Sequence, residues 1–209
     1  MDKIFEKFGV YDFWGTFVPG FIGMILNILW YNHAYDSSYS ISKNLVIIIA
    51  FSYLLGCTYH EIGHVIQKIV YVSKGEPYDR YLLDNCNILN RSEKNVYIDL
   101  FNKWANKNLD NNNINQERCR LFFNYCDYYI EKSGKDLKAK KMQSLYGMSR
   151  SVFTMSIILI FLNIIVFNKL NLVISILLAI IFLYRTKRFN EIRLKVVLRT
   201  YYLESNAIE

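Results

Sequence analysis

Four apolar runs interrupt a polar chain: "FWGTFVPGFIGMILNILWY" at 13–31, "LVIIIAFSYLLGCTYHEIGHVI" at 45–66, "SVFTMSIILIFLNIIVF" at 151–167 and "LNLVISILLAIIFLY" at 170–184. A helix crosses a bilayer with about 20 mostly apolar residues, roughly 17–25. The first two runs meet that length. The last two are shorter, and only Asn168 and Lys169 separate them. They predict a helical hairpin with Lys169 snorkelling at its tip. Such helices either thin the bilayer or extend past their apolar cores. The first run reads as a span and not as a secretory signal: it lacks a basic leader and an A-x-A-like cleavage site, and it contains Pro19.

Between the two pairs of runs the periodicity changes. "NVYIDLFNKWANKNL" has apolar or aromatic residues at 96, 97, 100, 101 and 104, and "QERCRLFFNYCDYYIEKSG" repeats the pattern at 119, 122, 123, 126 and 130. Both predict amphipathic helices. Gly134 should end the second one. "LDNNNINQ" reads as a loop whose asparagines cap helices. The tail "TKRFNEIRLKVVLRTYYL" should extend the fourth apolar helix. The expected fold is therefore all-α, an integral membrane protein with four transmembrane helices and a helical insert. Its parts are two N-terminal spans (1–68), the insert (69–148), and a C-terminal hairpin with a basic tail (149–209).

Charge orients the spans. The chain is 53% hydrophobic with a net charge of +7. Lys3 and Lys7 precede the first run, Lys43 alone lies between the first two, fifteen Lys or Arg fall in 68–150, and six follow from Arg185 onward. With four crossings, the basic regions share one side. The positive-inside rule makes that side the cytosol, on the strength of the residues beside the membrane ends: Lys68, Lys74, Lys140, Lys141, Arg150, Arg185, Lys187 and Arg188. Both termini and the insert are then cytoplasmic. Tyr11, Trp14 and Trp30 suit the interfacial belts. Cys57, Cys86, Cys119 and Cys126 form no zinc-ribbon spacing, and read as reduced residues packed like small hydrophobes.

"TYHEIGHVIQK" carries the one chemical motif. His60-Glu61-Ile62-Gly63-His64 fits H-E-x-x-H, which on a helix puts two imidazoles one turn apart on the same face. Glu61 would then be a general base toward a zinc-bound water. A catalytic zinc needs a third protein ligand. The third and fourth runs contain no Asp, Glu or His, and the nearest candidate, Asp84, lies in the polar insert. Gly56, His60, Gly63, His64 and Gln67 also fall near one helical stripe. Small and polar residues on a stripe are what membrane helices use to approach and hydrogen-bond one another. Packing or gating is the leading reading. An intramembrane zinc metallopeptidase using His60, His64 and Glu61 is the alternative. Glu61, ionisable within a span, is a functional candidate in either case, with Lys68, Arg150 or a neighbouring subunit as its partner. Pro19 predicts a kink, and Gly15, Gly20 and Gly23 a smooth helix surface.

Residues 68–150 hold fifteen basic and ten acidic residues interleaved with aromatics such as Phe122, Phe123 and Tyr125. RNA contact by stacking and phosphate binding is compatible with that mixture. The insert lacks histidine, which excludes His-based nuclease chemistry within it. No phosphate-loop, dinucleotide-binding or nucleophile-elbow pattern occurs.

Three stretches, "YDFWGTFVPGF", "YLLGCTYHEIGHVIQK" and "LYGMSRSVF", resemble small four-span bacterial membrane proteins of antiviral defence loci, in particular the transmembrane accessory protein of type VI-B CRISPR systems. They cover about a fifth of the chain. The resemblance implies a structural role for the G-x-x-x-[HQ]-E-x-G stretch, occupied by Gly56, His60, Glu61 and Gly63, with His64 incidental. It also implies a non-enzymatic accessory or effector in the bacterial inner membrane, without a cofactor. That protein would modulate an RNA-guided defence response, oligomerise through its glycine-bearing spans, and form a pore or perturb the bilayer. Its partners would be the lipid bilayer, copies of itself, and an RNA-guided nuclease complex or RNA at the cytosolic face. A passive scaffold remains a third reading.

Overall fold

Helix is the outcome in every long segment of the computed structural model, which describes residues 13–34, 45–71, 75–84, 86–108 and 113–206; no strand occurs among them. A π-helical turn (Phe13–Phe17) leads into α1 (Val18–Ala34). Then come α2 (Leu45–Tyr71), the short α3 (Pro77–Arg80), α4 (Arg91–Asn108), α5 (Gln116–Lys132), α6 (Leu137–Ile165) and α7 (Lys169–Asn206). Four helical stretches are long and apolar enough to cross a membrane: Phe13–Asn32, Val46–Ile69, Leu137–Ile165 and Lys169–Asn206. The expectation of an all-α chain with four membrane-length helices and a helical middle holds. Lys3, Lys7, Tyr11, Lys43 and Lys74 lie outside the described residues.

The chain divides into two compact units, Met1–Ile69 with Gln143–Phe189, and Val70–Met142 with Asn190–Glu209. The tail beyond Asn190 thus groups with the middle of the sequence, and not with the hairpin that precedes it. Each unit contains part of α6 and part of α7.

In the first unit, backbone meets backbone. A Cβ added at Gly20 would lie 1.8 Å from the Ser52 carbonyl oxygen, and one at Gly56 would lie 2.0 Å from that of Thr16. Only glycine allows α1 and α2 to come this close. Pro19 does not interrupt α1 as its position in the run suggests. It is the second residue of the helix, directly after the π-helical turn. A proline near a helix start forfeits an N–H that has little intrahelical use, and the irregularity falls before it. Pro19 has no N–H to give the Gly15 carbonyl four residues back; the Ser151 hydroxyl donates to that carbonyl at 3.0 Å. Tyr59, Val152, Met155 and Leu159 form a small apolar core, and the Tyr59 hydroxyl accepts from the Asn27 amide at 3.0 Å. At the hairpin, Phe167 takes a left-handed φ of 55°. Asn168 caps α7 by accepting from the Asn171 N–H at 3.2 Å. Asn163 donates to Ser175 at 3.3 Å, joining α6 to α7.

The second unit has a dense core. Tyr97, Leu100 and Phe101 of α4 pack with Cys119, Phe122, Phe123, Cys126 and Ile130 of α5, and with Leu194, Val197, Leu198 and Tyr201 of α7. Trp104 is partly buried against this core, while Val96 turns outward at 38% exposure. Asn115 caps α5, accepting from the Arg118 N–H at 2.9 Å, and Gly134 follows the helix end with a φ of +69°. Asp79, 5% exposed, receives both the Nε and Nη2 of Arg120, at 2.7 and 2.8 Å. Burial and the neighbouring Glu131 push the Asp127 carboxyl upward. The Arg193 guanidinium, 2.7 Å away, opposes that shift without cancelling it. All four cysteines are free thiols.

Candidate functional site

The polar stripe of α2 and a single arginine of α6 form a concentrated polar cluster in the first unit. His60, His64 and Gln67 stand one or two turns apart, so a 3.6-residue repeat aligns them on one face. Arg150 reaches all three. Its Nη2 is 2.6 Å from His60 Nε2, and its Nη1 is 3.4 Å from His64 Nδ1 and 3.3 Å from Gln67 Oε1. The side chain is 8% exposed. Gly63 makes the approach possible: a Cβ there would lie 2.9 Å from Arg150 Cγ and 2.6 Å from the Thr154 hydroxyl. Tyr146 donates to Gln67 Oε1 and lies under the guanidinium, whose carbon is 5.5 Å from the ring centre.

Proton placement follows from donor chemistry. Arginine donates only, so His60 Nε2 and His64 Nδ1 must present lone pairs. The other nitrogen of His60, Nδ1, lies 3.4 Å from Ser151 Oγ. Ser151 uses its own proton on the Gly15 carbonyl. A directional chain results: Arg150 to His60, His60 to Ser151, Ser151 to Gly15. It ties α6 and α2 to the π-helical turn before α1. The Nε of Arg150 is buried and has no hydrogen-bond partner among the described residues.

This arrangement corrects the suggested pairing of Arg150 with Glu61. Glu61 is exposed and has no ion pair among the described residues. One residue after His60, it points about 100° away around the helix. Lys68 is exposed as well. Asp84 pairs with Lys94 at 3.4 Å in the second unit. His64, incidental by resemblance, belongs to the cluster.

The guanidinium counts against zinc at this cluster. A permanent cation stands within hydrogen-bonding reach of both imidazoles, where a second cation would be repelled. No group of three His, Cys, Asp or Glu side chains able to hold a metal occurs among the described residues. The residues instead suit a buried clamp: one guanidinium, several neutral acceptors, and small residues that admit it.

Of the residues singled out from sequence, Gly56, Gly63, Gly20, Pro19, His60, His64 and Arg150 all lie in this unit and serve its helix contacts. Sequence reasoning did not assign roles to Ser151 and Tyr146. Both flank Arg150 at helical spacings, i+1 and i−4, which was the available signal. No family model, curated protein or solved structure matches the chain.

Proposed function

We propose that this chain is a non-enzymatic accessory or effector of bacterial antiviral defence, seated in the inner membrane by four spans. Both termini and the helical middle face the cytosol, because the Lys- and Arg-rich segments then share the inner side. The defence assignment rests on the three stretches that resemble the accessory proteins of type VI-B CRISPR systems. The non-enzymatic part rests on one observation, the Arg150 guanidinium 2.6 Å from His60. That contact supports reading the H-E-x-x-H pair as part of a helix clamp. Self-association belongs to the same reading. It would use outward faces bearing residues such as Leu54 and Ile180, 60% and 61% exposed, because the glycine faces are closed by contacts inside the chain.

The test is a bacterial host carrying an RNA-guided RNA-targeting nuclease, challenged with phage, with and without this chain. A change in protection of tenfold or more, accompanied by membrane depolarisation on triggering, is the expected result. Unchanged protection overturns the defence role. Stoichiometric zinc in the purified protein, lost in His60→Ala, overturns the non-enzymatic reading and returns the metallopeptidase.

A further inference from the structure

The second unit contains a cavity of about 450 Å³ between α4, the start of α6 and the end of α7. Lys138, Lys195 and Arg199 line it, with Tyr97 and Thr200 beside them. Its one carboxylate, Glu93, already accepts from the Asn90 backbone N–H at 3.1 Å. Some cations elsewhere in this unit have found carboxylates: Arg120 with Asp79, Arg193 with Asp127, Lys135 with Glu204. Lys138, Lys195 and Arg199 have no ion pair and no hydrogen-bond partner among the described residues. Three like charges around one concavity repel each other in the free protein, and a bound anion relieves that repulsion.

The neutral groups are donors too. Tyr97 is 8% exposed, and its hydroxyl has no partner among the described residues. Burial first, and Glu93 second, push the phenol upward, with Arg199 opposing, so it keeps its proton at neutral pH. Two ammonium groups, a guanidinium fork, a phenol and a threonine hydroxyl suit a ligand with several charged acceptor oxygens. Phosphate offers more of these than a carboxylate, and guanidinium engages two phosphate oxygens at once. The volume lies within the range of small-molecule sites, about 300–1,000 Å³. Val196 and Leu203 give the cavity an apolar wall, which suits an organic portion attached to the phosphate.

We propose that this cavity binds a phosphate-bearing small molecule of nucleotide size, held by Lys138, Lys195 and Arg199. The proposal stands on the second unit alone and does not rest on the membrane or defence reading.

The test uses the full chain in a non-ionic, phosphate-free detergent, titrated calorimetrically with ATP, AMP and inorganic pyrophosphate, and separately with phosphatidylglycerol vesicles. Saturable binding of at least one soluble probe is expected. It should weaken at least tenfold in Lys195→Gln/Arg199→Gln and persist in the exposed control Lys141→Gln. The thermal midpoint of the double variant without ligand verifies its fold; because like charges are removed, it should equal or exceed wild type. Absence of binding by all three soluble probes overturns the proposal. So does binding that the double variant retains, and so does binding to vesicles only, which would make lipid the phosphate source.

Discussion

Arg150 on α6 sets its Nη2 2.6 Å from Nε2 of His60 on α2, 90 residues earlier in the chain. Each partner restricts the other. The guanidinium is nearly buried and has no carboxylate beside it among the described residues, so its stability there depends on neutral acceptors. The imidazole must keep a lone pair on Nε2 to supply one.

Substitution at position 60 separates acceptor from cation. Glutamine retains an acceptor near the guanidinium; lysine adds a second positive charge. His60→Lys should destabilise by about 3–5 kcal/mol, as when a buried charge loses its compensation. His60→Gln should cost about 1 kcal/mol. Thermal unfolding in detergent micelles measures both. Equal melting of the two variants would contradict the proton arrangement assigned to the cluster.

The glycines make a graded prediction. Gly20→Ala and Gly56→Ala force a methyl against backbone oxygens at 1.8 and 2.0 Å. Neither oxygen yields without moving a helix, so overpacking should cost about 1–3 kcal/mol or more. Gly134→Ala meets nothing within 4 Å and is penalised only by its φ of +69°, which should cost about 1 kcal/mol. Size-exclusion yield and melting temperature should rank the variants in that order. A Gly134 variant worse than the Gly20 variant would refute the close approach of α1 and α2.

Alkaline pH should find Cys119. Burial pushes its thiol up from an ordinary 9.0 to about 11. A raised thiol pKa means the folded state holds the proton more tightly. The stabilisation is therefore complete below the unfolded value and is lost as pH rises from about 9 to 11. That loss is about 2–3 kcal/mol. Unfolding of Cys119→Ala should show a shallower alkaline slope than wild type over this window. At pH 8 a maleimide should modify Cys119 only after unfolding, because the thiolate is scarce and the side chain is fully buried. Identical slopes, or rapid labelling of the native protein, would show that α5 does not bury this face.

Orientation is checked with reporters. A phosphatase active only outside the cytosol, fused after Asp110, should be silent; fused after Asp36, it should be active. The reverse pattern would invert the membrane reading, and with it the proposed contact with a nuclease complex or RNA at the cytosolic face.

The helical faces were legible where one helix carries its own signal. Positions 119, 122, 123, 126 and 130 repeat at helical spacing, and all five are buried. Asn115 and Gly134 mark the ends of α5 because capping and left-handed geometry are local properties of those residue types. The stripe of His60, Gly63, His64 and Gln67 was visible for the same reason. Leu194, Val197, Leu198 and Tyr201 follow the same spacing, and their burial in the second unit was equally open to reading. The partner of that stripe was not visible in this way. The tail packs against segments about 70 to 100 residues earlier, and helical periodicity does not encode distance between segments.

Length and polarity by themselves determined that this is a helical chain with four membrane-length apolar helices, because spanning length and helical period are set by residues adjacent in sequence. Tertiary structure alone decided that Arg150 turns to His60, His64 and Gln67 and leaves Glu61 exposed. It also decided that the H-E-x-x-H pair faces a guanidinium. That choice depends on how α6 is rotated against α2, and on the space left by Gly63. Both are properties of two helices packed together, and neither helix carries them alone.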